Sequence, residues 1–174
     1  MGELTDWKVL LGEMILAKSQ LDERDPQHLE PYTLPRGPAA EEDVSGISLP
    51  ADYRAFLAHA DGWPSFYMDA DLFGSPELRG GGSADVAREL LATYAEAGVF
   101  EDMGWAVADV LPIGAGAGMR DLFVIGRVGT TVEGQVSWID AEEIERYDDL
   151  AQFVATMRDA TERRARQLGE ARPL

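Results

Sequence analysis

The feature that most constrains this chain is a helix with both ends encoded locally, between Leu49 and Trp63. Pro50 suits a first helical turn, where its fixed φ fits and its missing N–H costs nothing. Tyr53, Phe56, Leu57 and Ala60 then fall at i, i+3, i+4 and i+7, which places them on one face. Gly62 can adopt the left-handed conformation that closes a helix, and Pro64 stops it from resuming. A short helix with an aromatic inner face is stable only when that face is covered, so the rest of the chain must supply a core for it.

The flanking sequence offers the material. Residues 5–22 read as a helix, with Trp7, Leu10, Leu11, Met14, Ile15 and Leu21 on one stripe and Thr5 available as its cap. Residues 22–48, with Pro26, Pro31, Pro35 and Pro38, read as a long polar loop over the surface. Ser65 to Phe73 is rich in strand formers and is expected to be extended. Arg79–Ser83 is a flexible break, and Ser83 or Asp85 starts a helix that turns Val86, Leu90, Leu91, Tyr94 and Ala97 inward. Further strands are expected at 105–113, 122–125 and 136–139, the last two joined by a hairpin connection. Asp148 or Asp149 begins a final helix with Leu150, Phe153, Val154 and Met157 facing inward. Beyond Met157 the apolar spacing fades. Residues 1–157 are thus expected to form a single domain, and 158–174 a charged tail, helical or frayed, whose arginines contrast with an acidic body.

Leu49-Pro50, Asp52-Tyr53, Phe56-Leu57 and Gly62, with Asp61 where an asparagine is usual, resemble the signature of the SUKH superfamily. Asp121-Leu-Phe followed by Gly134-Gln-Val-Ser-Trp is similar to its later part. The resemblance implies an α+β fold, a single antiparallel sheet packed against several helices. It also implies a non-enzymatic role as a binding protein: an immunity protein that neutralises a toxin domain, or a regulatory scaffold for a cellular partner.

Charge bears on that choice. The 174 residues carry 32 acidic against 15 basic side chains, a formal net charge of −17. Such a surface repels phosphate backbones, which argues against direct nucleic-acid binding, and it attracts a basic protein. An acidic proteome would give the same balance. There are no cysteines, hence no disulfide framework and no thiol nucleophile. No signal peptide and no membrane-length apolar run is visible, so a cytoplasmic location is expected.

Motifs for chemistry are incomplete. Gly114-Ala-Gly-Ala-Gly118 lacks the Gly-Lys-Ser/Thr of a P-loop, and its third glycine falls one position early for a dinucleotide fingerprint. Asp69-Ala-Asp71 imitates the start of a calcium loop whose third ligand position is Phe73 and whose twelfth is not glutamate. His28 and His59 are isolated, and neither Ser65 nor Ser83 lies in a nucleophile elbow. Acidic pairs such as Glu41-Glu42, Glu142-Glu143 and Asp148-Asp149 read as solvated faces. No catalytic residue, metal site or cofactor is therefore assigned; a hydrolase with an unrecognised acidic site is the remaining alternative. The residues expected to meet a protein partner follow the signature helix: Trp63, Phe66, Tyr67, Asp69 and Asp71, aromatic and charged side chains gathered on one edge.

Overall fold

A computed structural model describes residues 4–118 and 120–171. The first helix, α1 (Trp7–Arg24), is capped by Asp6, whose carboxylate accepts from the Val9 N–H at 3.1 Å. An aspartate there also favours the helix dipole, so Asp6 takes the place expected of Thr5. The buried stripe holds Trp7, Leu10, Leu11, Met14 and Leu21, but also Ala17 and Lys18. The polar stretch that follows contains one helical turn, α2 (Glu41–Val44), and is otherwise irregular. It is fastened to the signature helix by backbone bonds: Arg36 N–H to Gly62 O, Ala39 N–H to Leu57 O, and Asp61 N–H to Gly37 O.

The signature helix, α3 (Ala51–Leu57), buries Tyr53, Phe56 and Leu57. Gly62 ends the segment at φ +85°, and a Cβ there would lie 2.5 Å from the Gly74 nitrogen. Both the conformation and the close approach require glycine.

The run from 65 to 73 is two strands instead of one. β1 (Trp63–Tyr67) turns back at Met68 and Asp69 into β2 (Ala70–Leu72), with Tyr67 paired to Ala70. Met68 holds φ at 54°. The turn contains none of the Asn-Gly or Gly-Gly pairs that normally announce a two-residue hairpin, which is why alternation alone reads through it.

Three helices follow, α4 (Ser75–Leu78), α5 (Ala84–Glu96) and α6 (Val99–Met103), and then β3 (Val110–Gly116), β4 (Leu122–Gly126), β5 (Val136–Asp140) and β6 (Glu142–Tyr147). α5 turns Ala84, Ala87, Leu90 and Tyr94 inward, a stripe rotated from the expected one, and Ala97 is exposed. The six strands form one antiparallel sheet in chain order. β6 was not expected, because its sequence Glu-Glu-Ile-Glu-Arg-Tyr is charged; it is an edge strand, where such residues discourage pairing with another chain. The glycine run lies mostly in β3. A Cβ on Gly114 would meet Asp71 O at 2.4 Å, so the glycine lets β3 approach β2 rather than cradling a phosphate.

Both sheet faces are covered. On β4, Phe123 and Ile125 point into a core shared with α1, α3 and the last helix, α7 (Leu150–Glu170). Leu122 and Val124 point into a second core with α5 and α6. This is an α+β fold built on a single antiparallel sheet.

α7 continues through Glu170 and lies along α1. Beyond Met157 its buried positions are Thr161 and Ala165, and Thr161 donates its hydroxyl to Met157 O at 2.8 Å. Small residues there let α7 lie close to α1, and small side chains are why an apolar stripe is hard to see in this stretch.

Candidate functional site

The β1–β2 hairpin, where partner contact was expected, is held by a largely buried set of charges drawn from α1, the loop after it and α7. Lys18 lies on the inward stripe of α1 with its side chain only 2% exposed. Its ammonium donates to Ser65 O at 2.8 Å and Phe66 O at 3.3 Å, the backbone of β1. Glu30 stands 3.8 Å away, accepts from the Met68 N–H at 2.7 Å, and accepts from Arg164 of α7 at 2.6 Å. Glu30 is therefore a hub that ties the hairpin turn to both α1 and α7. Burial lowers the pKa of Lys18, and the Glu30 carboxylate opposes that shift. The signal in the sequence was the lysine itself, placed between Met14 and Leu21 on an apolar face, where a charge needs a partner.

The expected contact residues divide. Trp63 and Phe66 are fully buried, and their rings pack edge to face at 5.5 Å. They brace the hairpin from inside and are removed from any surface. Asp71 is committed to the fold: it accepts from the Ser65 N–H at 2.8 Å and from the Ser83 hydroxyl at 2.5 Å. Tyr67 is half-buried, with the Arg164 guanidinium 4.8 Å over its ring and Trp138 at 5.8 Å. Asp69 is exposed at the turn, and its carboxylate accepts from the Gly118 N–H at 2.8 Å. Of the five, only Tyr67 and Asp69 border solvent in a way that leaves them free to meet another molecule.

Beside them lies a groove of about 750 Å³. Its walls are the end of α1, the loop 25–30, the hairpin turn and the end of α7, with Leu21, Leu29, Met68, Leu168 and Ala171 as apolar lining. Leu29 is 79% exposed and Met68 47%. Composition could not have found this groove, because its residues come together only when α1 and α7 pair.

The signature residues themselves are occupied in structure. Asp52 accepts from the Leu150 N–H at 2.7 Å and so supplements Asp149, the N-cap of α7, from 98 residues away. Burial raises its pKa, against the effect of that bond. The Tyr53 hydroxyl donates to Phe73 O at 2.8 Å. Asp61 accepts from the Ser75 N–H and hydroxyl at the start of α4. Behind it, Glu77 is buried and receives a two-pronged bond from Arg36 at 2.7 and 3.0 Å. Burial pushes the Glu77 carboxyl up, but the Arg36 and Gly74 donors outweigh it and hold its pKa below the usual value. None of these carboxylates is presented to a substrate. Among the described residues, no group of three or more histidines and carboxylates is arranged to hold a metal, and no helix is long and apolar enough to cross a membrane.

No curated protein matches the chain. The model of the SMI1 / KNR4 family (SUKH-1) matches residues 39–156, from just before α2 to the first turns of α7. The match spans the signature helix, the whole sheet and α5, and the Asp52, Tyr53, Asp61 and Gly62 contacts just described are what hold that unit together. The chain belongs to the SMI1 / KNR4 family (SUKH-1).

Proposed function

We propose that this chain is an immunity-type binding protein that masks a basic toxin domain. Family membership supports a role in binding another protein, either as an immunity or as a regulatory component. The observation that carries the finer reading is the charge: a formal −17, with 32 acids against 15 bases, so that after the internal contacts and surface ion pairs an excess of acids is left to act on a partner. Carboxylates on such a surface substitute for the phosphates that a nuclease-like toxin face attracts, and they accelerate its approach.

The test is co-purification from the native host, identification of the captured protein, and measurement of its affinity as salt is varied. A basic toxin domain is expected, with association slowing steeply as the Debye length falls from about 10 Å at 0.1 M to about 3 Å at 1 M salt. Capture of a non-toxic cellular protein would replace the immunity reading with the regulatory one. An affinity indifferent to salt would remove charge as its basis.

A further inference from the structure

The groove beside the hairpin is built almost wholly from residues outside the family match. Leu21, Leu29 and Glu30 precede residue 39, and Arg164 and Leu168 follow residue 156; Met68 is the main contribution from within. The family scaffold supplies the sheet, and the two flanks, by pairing as α1 and α7, add a concave surface to it. Three features mark this surface as more than a gap between helices. Leu29 and Met68 leave a large part of their apolar area in water at its rim. Met68 does so from a left-handed backbone conformation that a non-glycine residue adopts at a cost. Glu30, braced by Lys18 and Arg164, holds the Met68 N–H and so fixes that conformation in place.

The lining is also charge-selective. Of its three carboxylates, Asp25 is spent on the Gln27 and Leu29 N–H groups and Glu30 on Lys18 and Arg164, while Arg164 is shared between Glu30 and the Tyr67 ring, so the charge offered to a guest is the exposed Asp69 on a strongly acidic chain. Arg24 and Arg166 face a different cleft, with Gly169 and Glu170. We propose that the groove seats a short segment of a basic protein partner, in which a leucine- or methionine-sized side chain is flanked by lysine or arginine. The apolar side chain lies against Leu29, Met68 and Leu168, and a flanking cation lies against Asp69. Methionine suits this role, since its unbranched thioether adapts to an apolar guest. The proposal rests on the reading of the chain as a binding protein for a basic partner, and places the partner's anchor.

The probe is a synthetic peptide, Lys-Leu-Leu-Lys-Lys, titrated into the ¹⁵N-labelled full chain, with Lys-Ser-Ser-Lys-Lys and Glu-Leu-Leu-Glu-Glu as controls. The expected result is saturable movement of the amide signals of Leu29, Met68 and the 167–171 segment with the first peptide only. In the Leu29→Ser/Met68→Ser variant, where both changes are at exposed positions, affinity for that peptide is expected to fall about tenfold from lost apolar contact. Equal responses to the serine control, signals that move elsewhere on the acidic surface, or an unaltered affinity in the double variant would overturn the proposal. Because the peptides involve no toxin, failure here removes the groove and leaves the immunity reading to its own co-purification test.

Discussion

Replacing Glu30 with glutamine tests whether the buried charge set holds the hairpin. In the native protein Glu30, 13% exposed, faces the 2%-exposed side chain of Lys18 and the 26%-exposed side chain of Arg164. Glu30→Gln leaves both cations without their carboxylate. Removing one partner of a fully buried pair costs about 3–5 kcal/mol. Here Arg164 can reach water and Lys18 keeps its bonds to Ser65 O and Phe66 O, so the expected loss is about 2–3 kcal/mol. For a chain of this size that is a fall in Tm of about 4–12 °C. Urea denaturation of the wild type, Glu30→Gln, Lys18→Met and the double variant closes a thermodynamic cycle. In the double variant the stranded ammonium is gone, so it is expected to recover at least about 1 kcal/mol relative to Glu30→Gln.

The pH dependence gives a second reading of the same cycle. The folded-state pKa of Lys18 is already lowered by burial, and loss of Glu30 lowers it further. Between that value and the ordinary lysine value of 10.5, the unfolded chain holds a proton that the folded one has released, so stability rises with pH. The penalty of Glu30→Gln is therefore present in full below the folded-state pKa of Lys18 and shrinks as pH rises from there toward 10.5. A loss below about 0.5 kcal/mol, or a double variant no better than Glu30→Gln, would refute the reasoning, because either would mean that Lys18 and Glu30 do not depend on each other.

Asp52→Asn keeps an acceptor for the Leu150 N–H and removes a charge that burial disfavours, so stability at pH 7 is expected to stay within about 0.5 kcal/mol of wild type or rise. Because the folded pKa of Asp52 is raised above 3.8, its contribution is fully present below 3.8 and is lost as pH rises through the folded value; a variant-minus-wild-type stability profile should show that step. Asp52→Ala, which leaves the Leu150 N–H without its acceptor, should cost about 1–2 kcal/mol by urea denaturation. Gly62→Ala combines a left-handed φ with a Cβ 2.5 Å from Gly74 N and 2.9 Å from Leu72 O, and is expected to cost about 3 kcal/mol or more, read as a drop in the urea midpoint.

The sequence read best where structure is local. The start and face of α3 are set by residues within a few positions of one another, although the helix stops at Leu57, short of the expected Gly62, and the resemblance carried by Leu49–Gly62 led to the correct family and sheet. That stretch speaks for the scaffold and not for a binding surface: Asp52, Tyr53 and Asp61 each spend their polar atoms on a distant part of the fold. Trp63 and Phe66, expected on a contact edge, are buried in the core, because an aromatic residue after a helix looks the same whether it anchors a partner or fills a core. β6 was missed because an edge strand is free to be charged. The groove, and the partners that Lys18 finds in Glu30 and Arg164, were invisible for a different reason. They exist only where positions 18, 30 and 164 meet, and no window along the chain contains all three.

The pairing of α1 with α7 also fixes an order of events during synthesis. Arg24 donates to Ala165 O, 141 residues further along, so α1 leaves the ribosome long before the helix that covers it. Until α7 emerges, α1 can meet α3, where Trp7 packs on Phe56, but the core on that side of the sheet still lacks Leu150, Phe153, Val154 and Met157. A chain cut short before residue 150 therefore lacks the helix that completes both this core and the groove beside the hairpin.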